Sequence, residues 1–249
     1  MPLRRTSRPS GIDLQLYRRI AYGDLAEFNV LDTRQYRSDQ ACGDTIAIDC
    51  QERLDPSRTI TGAEQERWLL EGLGDSRARW NVLAQQVFFA QRDFEAGPVE
   101  SFSMDGWDGY VASRRRILEG IAERRVDNPV VLTGDVHQHW ANDIKADFSD
   151  PDSRTVGSEL VCTSITSGGD GTPEPNERAQ VALAENPHIK FNSNQRGYVR
   201  CAVDRREWKA DFRVVPYVKR PGAPISTAAS FTIEAGNPGL QPASQEPTT

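Results

Sequence analysis

The chain has 249 residues, enough for one large domain or two small ones, and its 37% hydrophobic content excludes a chain that is disordered throughout. Its 30 basic and 36 acidic residues give a formal net charge of −6, which argues against specific nucleic-acid recognition, because that requires a basic surplus. The sequence has no apolar run of about 18 residues, so no membrane span is predicted. Its basic start is followed by polar residues, so no signal peptide is predicted either.

Two short strands are predicted near the start, over 19–23 and 25–32, with a tight turn between them. A polar loop over 35–60 follows and holds Cys42 and Cys50. These two cysteines form a disulfide if the protein is exported, or remain free thiols if it is not. The C-x-x-C spacing of a structural zinc site does not occur, so no such site is predicted.

The middle of the chain alternates between helix and strand patterns. A Thr-x-x-Glu capping box at Thr61 predicts the start of a helix that ends at Gly74. A strand over 80–89 and a helix over 110–125 follow. Residues 129–133 give the strongest strand pattern of the chain. A strand that is apolar on both faces belongs in the middle of a sheet.

The second half is predicted to consist mostly of strands. Its elements are a strand over 157–163, a helix over 175–186 and an antiparallel pair of strands over 198–203 and 208–215. From residue 221 the chain is rich in proline, glycine, alanine and serine, and it is expected to fray apart from 230–234. Alternating strands and helices followed by mostly strands indicate a layered α/β fold.

The motif that follows the strand 129–133 is the most informative for chemistry. Asp135, His137 and His139 come directly after a glycine at the end of that strand. Open α/β sheets place their sites at the carboxyl ends of strands, and a carboxylate with a neutral imidazole suits a metal ion. The alternative is a hydrogen-bonded Asp–His pair without a metal.

Two further segments contain candidate substrate-binding residues. Arg34 and Arg37 lie just past a predicted strand, where two guanidinium groups can hold a phosphate; structural salt bridges are the alternative. Trp107 and Tyr110 lie in a loop with two glycines that can place a ring against a ligand. Alternatively, Trp107 packs at the start of the following helix.

Read together, several segments resemble the alkaline phosphatase D (PhoD-like) metallophosphoesterases, from the first residues to about Gly239. The segments that carry the resemblance are Gly23–Arg37, Thr61–Leu69, Asp105–Tyr110, Val130–His137 and Gly197–Arg200. The resemblance implies part of an αββα sandwich, in which two stacked mixed sheets are flanked by helices. It also implies hydrolysis of small-molecule phosphate monoesters or diesters by a metal-activated hydroxide, with Ca²⁺ and Fe³⁺ as the cofactors.

The resemblance also implies roles for individual residues. Asp135 and His137 would be catalytic residues and metal ligands, with His139 as a further candidate ligand. Arg34 and Arg37 would lie near the phosphate. Family members carry a metal-ligand cysteine, a G-D-x-x-Y-E segment and a W-D-D-H-E segment ahead of the part that matches this sequence, and none of these occurs here.

The sequence is therefore expected to lack the N-terminal half of the domain. We expect residues 1–239 to form the C-terminal part of a PhoD-like domain and residues 240–249 to form a disordered tail. The chain is either part of an active phosphatase or an inactive fragment or pseudoenzyme that lacks half of the metal ligands. Family members are usually exported, whereas a chain that truly starts at Met1 would be cytoplasmic. An exposed inner sheet face predicts poor solubility.

Overall fold

The computed structural model describes residues 14–150 and 152–243. Its strands, in chain order, are β1 (Arg18–Tyr22), β2 (Ala26–Val30), β3 (Ile46–Ile48), β4 (Trp80–Ala84), β5 (Ser101–Ser103), β6 (Pro129–Thr133), β7 (His139–Lys145), β8 (Thr155–Val161), β9 (Ile189–Ser193), β10 (Arg196–Val203), β11 (Glu207–Val215), β12 (Ser226–Glu234) and β13 (Asn237–Pro242). The α-helices are α1 (Gly62–Asp75), α2 (Val111–Glu123) and α3 (Glu177–Glu185). None of these helices is long and apolar enough to cross a membrane.

Seven strands form one mixed sheet in the order β1-β2-β4-β6-β8-β7-β9. Strands β2, β4, β6 and β8 run parallel, whereas β1, β7 and β9 pair antiparallel with their neighbours. The predicted central position of the strand 129–133 is confirmed, because β6 pairs with β4 on one side and β8 on the other. Both of its faces are covered, and Val130 and Val131 are buried.

The three helices pack on one face of this sheet, where their apolar residues join one buried core. The helical members of that core are Leu69, Leu73, Ile117, Leu118, Ile121, Ala179 and Ala182. The prediction of a helix after residue 61 is confirmed, but the predicted capping box does not form. The Thr61 side chain caps nothing, and the Gly62 N–H instead donates to Thr59 Oγ1 at 2.9 Å. The helix also continues past Gly74 to Asp75.

A second, four-stranded antiparallel sheet, β10-β11-β12-β13, packs on the opposite face. Strand β11 alternates, as a half-buried strand should: Trp208, Ala210 and Phe212 point inward and are buried, while Lys209 and Asp211 lie on the other face. The sheets meet through aromatic rings, and the Trp208 ring packs edge-on against Trp80 of β4 at 5.7 Å between centroids. The described residues thus form three layers, α-β-β, and the outer helical layer of an αββα sandwich is not among them.

One side of the interior between the two sheets is open. Ile20 of β1 pairs in register with Phe28 of β2, so both face the second sheet. Ile20 nevertheless remains 44% exposed and Tyr22 69% exposed, because the second sheet ends at β10. In the described part of the chain, β1 and β10 each pair on one side only. The poor solubility expected from the sequence stays a prediction.

The structure corrects several predicted boundaries. The strand predicted over 80–89 ends at Ala84, and the residues after it form a buried loop. The C-terminal segment does not fray from residue 221, because β12 and β13 belong to the second sheet. The tail predicted over 240–249 is wrong for residues 240–242, which lie in β13, and residues 244–249 lie outside the described part.

A small module lies beside the large sheet. Strands β3 and β5 pair antiparallel, and a disulfide joins Cys42 to Cys50, the first of the two alternatives considered from the sequence. Beneath them, a separate apolar cluster is formed by Ala41, Cys50, Phe102 and Met104. We call these elements, residues 41–54 and 101–104, the disulfide module. Its last strand leads directly into the loop that begins at Asp105.

Candidate functional site

The candidate site lies at the carboxyl edge of the parallel strands, where an α/β sheet places its functional loops. The loop after β2 carries Arg34 and Arg37, and the loop after β6 carries Asp135 and His137. The first loop is fixed by local hydrogen bonds: the Asp32 carboxylate accepts the backbone N–H groups of both Arg34 and its successor at 3.0 Å. The structure thus brings four of the predicted site residues to one edge.

Arg34 is held between two carboxylates. Its Nη2 donates to Asp135 Oδ1 at 2.8 Å, and its Nη1 donates to Asp105 Oδ1 at 2.8 Å. Arg37 Nη1 donates to the same Asp105 oxygen at 2.7 Å. Two arginines and two aspartates from three separate loops therefore form one charge-balanced cluster. We call Arg34, Arg37, Asp105 and Asp135 the arginine–aspartate cluster.

The ionisation of this cluster follows from its contacts. Partial burial acts to raise the pKa of Asp105, but the hydrogen bonds and charges of Arg34 and Arg37 outweigh it, and the pKa is lowered. For Arg34, burial acts to lower the pKa, and the two aspartates raise it overall. Asp105 and Arg34 are thus both charged at neutral pH. The cluster is also open to solvent, since the Arg34 side chain is 38% exposed.

Asp135 and His137 adopt an unusual backbone conformation that directs this loop. Their φ angles are +66° and +54°, in the left-handed region that non-glycine residues rarely occupy. The loop is nonetheless held, because the His137 carbonyl oxygen accepts hydrogen bonds from Thr163 Oγ1 at 2.9 Å and from Arg196 Nη1. Backbone strain that is held by its surroundings is a frequent feature of functional sites. Both side chains remain exposed.

Asp135 and His137 are suitable metal donors in kind, since they offer a carboxylate oxygen and an imidazole nitrogen. They are too few to hold a metal by themselves. Among residues 14–150 and 152–243, no group of three or more histidine, cysteine or acidic side chains is arranged to hold a metal ion. The described residues therefore fit part of a metal site but not a whole one.

His139 does not share this site. It is the first residue of β7 and is fully buried, with its ring edge-on to Phe212 of the second sheet at 5.2 Å. Its Nδ1 accepts the backbone N–H of Thr163 at 3.3 Å. Burial lowers the pKa of His139 to about 4. The prediction of His139 as a metal ligand is corrected, because the loop turns into a strand there and points the ring between the sheets.

Trp107 and Tyr110 are core residues. Both rings are fully buried; Trp107 Nε1 donates to Gln85 Oε1 at 3.1 Å, and the Tyr110 hydroxyl donates to the Ser38 carbonyl at 2.7 Å. Because both rings are fully buried, the prediction that they bind substrate is corrected in favour of the packing alternative. Asp105, from the same motif, is the site residue that sequence reasoning missed. The sequence feature that could have indicated it is an acidic residue directly before a glycine, Gly106.

The surface at the cluster is shallow. A cavity of about 30 Å³ lies beside Asp105 and Asp135, and Arg92 also lines it. That volume suits a water molecule or two rather than a phosphate ester. A larger cavity, of about 420 Å³, is lined by Arg125 and Arg154 at the opposite end of β6 and shares no residue with the cluster. The described residues therefore give one wall of a site rather than an enclosed pocket.

Comparison with known proteins agrees with the resemblance found in the sequence. The family model for PhoD-like phosphatases matches residues 1–212. Alkaline phosphatase D of Bacillus subtilis (strain 168) is 52% identical over 241 residues, which is 97% of this chain and 41% of that protein. A solved structure of PhoD superposes with a TM-score of 0.93 at 51% identity, over 99% of this chain and 47% of that one. The chain thus spans less than half the length of these relatives. It belongs to the PhoD-like phosphatase family.

Proposed function

We propose that this sequence is the C-terminal share of a phosphoric ester hydrolase that acts on small-molecule phosphate monoesters or diesters. The observation that carries the proposal is the arginine–aspartate cluster beside His137, at the sheet edge where α/β proteins bind ligands. Guanidinium groups bind phosphate oxygens through paired, charge-assisted hydrogen bonds, and Arg34 and Arg37 lie together at this edge, with side chains that are 38% and 16% exposed. Family membership favours a phosphate ester over other anions.

In this proposal, Asp135 and His137 contribute to a metal site, and polypeptide outside the described residues contributes the remaining ligands. Calcium and ferric iron, implied by the family resemblance, would supply an activated hydroxide. Within the chain, Arg34 and Arg37 orient the phosphate, and the strained loop after β6 keeps Asp135 and His137 exposed toward it. The disulfide supports an oxidising compartment, so we propose that the whole protein is exported.

A second candidate function is that of an inactive fragment. It is favoured by two observations: the described residues lack a full metal-ligand group, and the chain spans only 41% of the length of alkaline phosphatase D. An inactive fragment would keep the fold and the arginine–aspartate cluster but would not turn over substrate by itself. The two candidates differ in what happens when the uncovered part of the relative is supplied.

The test is hydrolysis of a chromogenic phosphate monoester and diester, with calcium and ferric iron present. The chain is assayed alone and joined to the segment of Bacillus subtilis alkaline phosphatase D that it does not cover. We expect turnover by the joined polypeptide and its loss in the His137→Ala variant of that polypeptide. A joined, folded polypeptide that fails to hydrolyse either ester, or that is indifferent to His137→Ala, contradicts the proposal.

A further inference from the structure

The Asp105 carboxylate is the point at which both arginines of the cluster meet. Its Oδ1 lies 2.8 Å from Arg34 Nη1 and 2.7 Å from Arg37 Nη1, and its Oδ2 lies 3.3 Å from Arg34 Nη2. Gln40 Nε2 adds a longer contact to Oδ1 at 3.4 Å. We propose that Asp105 is a positioning residue, which holds Arg34 and Arg37 in the orientation that receives a phosphate group. This inference rests on the proposed function.

The physical reason is the repulsion between two neighbouring cations. Arg34 and Arg37 come from one short loop, and their guanidinium groups converge on a single oxygen atom. Without the negative charge between them, the two groups repel each other. Arg37 then loses its carboxylate partner, and Arg34 keeps only its contact with Asp135, so both side chains are held less firmly. A phosphate would then have to order both side chains at the time of binding, which weakens affinity.

Asp105 is itself held on one side by the disulfide module and on the other by the loop after β4. The residue before it, Met104, donates its backbone N–H to the Thr45 carbonyl at 3.0 Å and is fully buried in the module's apolar cluster. The residue after it, Gly106, has little room for a side chain, since a Cβ there would lie 3.1 Å from the Phe88 carbonyl oxygen. The carboxylate therefore reaches the arginines from a fixed backbone.

Removal of the Asp105 carboxylate changes the affinity for phosphate in opposite directions under the two explanations, a nearby charge or a positioning residue. Asp105→Asn removes a negative charge from beside an anion site, so electrostatics alone predicts tighter binding of phosphate. Loss of positioning predicts weaker binding, because the arginines are no longer held together. The sign of the change therefore distinguishes a positioning residue from a charge that merely happens to lie nearby.

The experiment measures the dissociation constant of inorganic phosphate for the full chain by phosphorus NMR at low ionic strength. The variants are Asp105→Asn, Asp105→Glu and the double variant Arg34→Ala/Arg37→Ala. We expect Asp105→Asn to weaken binding about tenfold, comparable to losing one charge-assisted hydrogen bond. Asp105→Glu, which restores the carboxylate, should recover most of that loss. Thermal unfolding midpoints should stay within about 4 °C of one another, since Arg34 and Asp105 are 38% and 36% exposed.

Two results would overturn the inference, and they are distinguishable. If the double arginine variant loses phosphate while Asp105→Asn binds it as well as or better than the unaltered chain, Asp105 does not position the arginines, and the proposed function stands. If the double arginine variant binds phosphate like the unaltered chain, the cluster is not a phosphate site, and the proposed role of the arginines falls with the inference.

Discussion

Two aspartates in one short loop, Asp105 and Asp108, have opposite surroundings. The Asp108 side chain is 7% exposed and pairs with Arg114, which is 3% exposed, at 2.8 Å. Its other oxygen accepts the backbone N–H of Arg92 at 3.0 Å. The Asp105 side chain is 36% exposed and lies at 2.8 Å from Arg34, which is 38% exposed. Both are arginine–carboxylate contacts of the same length, so distance alone does not tell them apart.

The difference in burial indicates different roles: the buried Asp108–Arg114 pair supports the fold, and the arginine–aspartate cluster is available to a ligand. A buried pair cannot reach a ligand, and it must satisfy every polar atom within the protein, as Asp108 does with a side chain and a backbone N–H. An exposed cluster contributes little to stability, but it leaves its cations accessible to an anion. We therefore expect substitutions in the buried pair to change the free energy of unfolding, and substitutions in the exposed cluster to change binding.

The largest expected effect is a loss of stability when the buried Asp108–Arg114 pair is broken. Arg114→Ala removes the partner of Asp108 and the hydrogen bond from Arg114 Nη1 to the Phe89 carbonyl at 3.0 Å. We expect the free energy of unfolding, measured by urea titration, to fall by about 3–5 kcal/mol, because a buried carboxylate is left uncompensated. Combining it with Asp108→Asn should recover part of that loss. A change below about 1 kcal/mol would mean that the buried pair is not structural.

The pH dependence of stability tests the buried position of His139. Unfolded His139 binds a proton near pH 6.5, whereas burial lowers the folded pKa to about 4. Between these values the unfolded state binds more protons, so the free energy of unfolding falls as the pH falls, by about 3 kcal/mol for this group. Buried Glu159 has a raised pKa and acts in the opposite sense.

A matched variant isolates the His139 contribution from that of Glu159 and other groups. His139→Asn keeps an acceptor for the Thr163 N–H but does not titrate. We expect the difference in unfolding free energy between the unaltered chain and this variant to shrink as the pH drops from 6.5 to 4. A difference in unfolding free energy that stays constant over that range would contradict the lowered pKa and the buried position of His139.

The disulfide gives the next effect in size. The pair Cys42→Ser/Cys50→Ser opens a loop with a sequence separation of 8, and chain entropy predicts a loss of about 2.5 kcal/mol in unfolding free energy. Because the disulfide module holds Asp105, phosphate binding should weaken as well. Weakened stability with unchanged phosphate binding would show that Asp105 is held without the disulfide.

The smallest effect concerns a residue that the sequence placed at the site. Tyr110→Phe removes only the hydrogen bond from the hydroxyl to the Ser38 carbonyl. We expect a loss of about 1 kcal/mol in unfolding free energy and an unchanged dissociation constant for inorganic phosphate. Substantially weaker phosphate binding at equal stability would instead support the prediction from sequence that Tyr110 binds substrate.

Sequence periodicity predicts the elements that have strong local patterns. It does not predict elements whose burial depends on contacts with residues far away in sequence. The strand 129–133 was placed in the middle of the sheet because it is apolar throughout, and it lies there as β6. Strand β7 was missed because its first residues, His139 and Trp140, read as a continuation of the site loop. Their burial comes from the second sheet and the helices, which no local pattern shows.

The site was predictable in part for the same reason. Arg34, Arg37, Asp135 and His137 follow strands that end at one sheet edge, so their proximity follows from topology. Asp105 reaches them from the loop after β5, 71 residues from Arg34 in sequence, and no spacing rule anticipates that contact. Trp107 and Tyr110 were misplaced because a glycine-rich aromatic loop looks the same whether its rings face a ligand or the core.

The most direct test of the distinction between site and scaffold is the dissociation constant of inorganic phosphate for two single variants of the full chain. Arg34→Ala removes a member of the exposed cluster, and Arg115→Ala removes an exposed arginine of α2, paired only weakly with Glu119 at 3.8 Å. Both variants lose one positive charge, so they change the net charge of the chain equally. We predict that Arg34→Ala weakens phosphate binding about tenfold and that Arg115→Ala leaves it unchanged. Equal dissociation constants for the two variants would contradict the assignment of the arginine–aspartate cluster as the phosphate site.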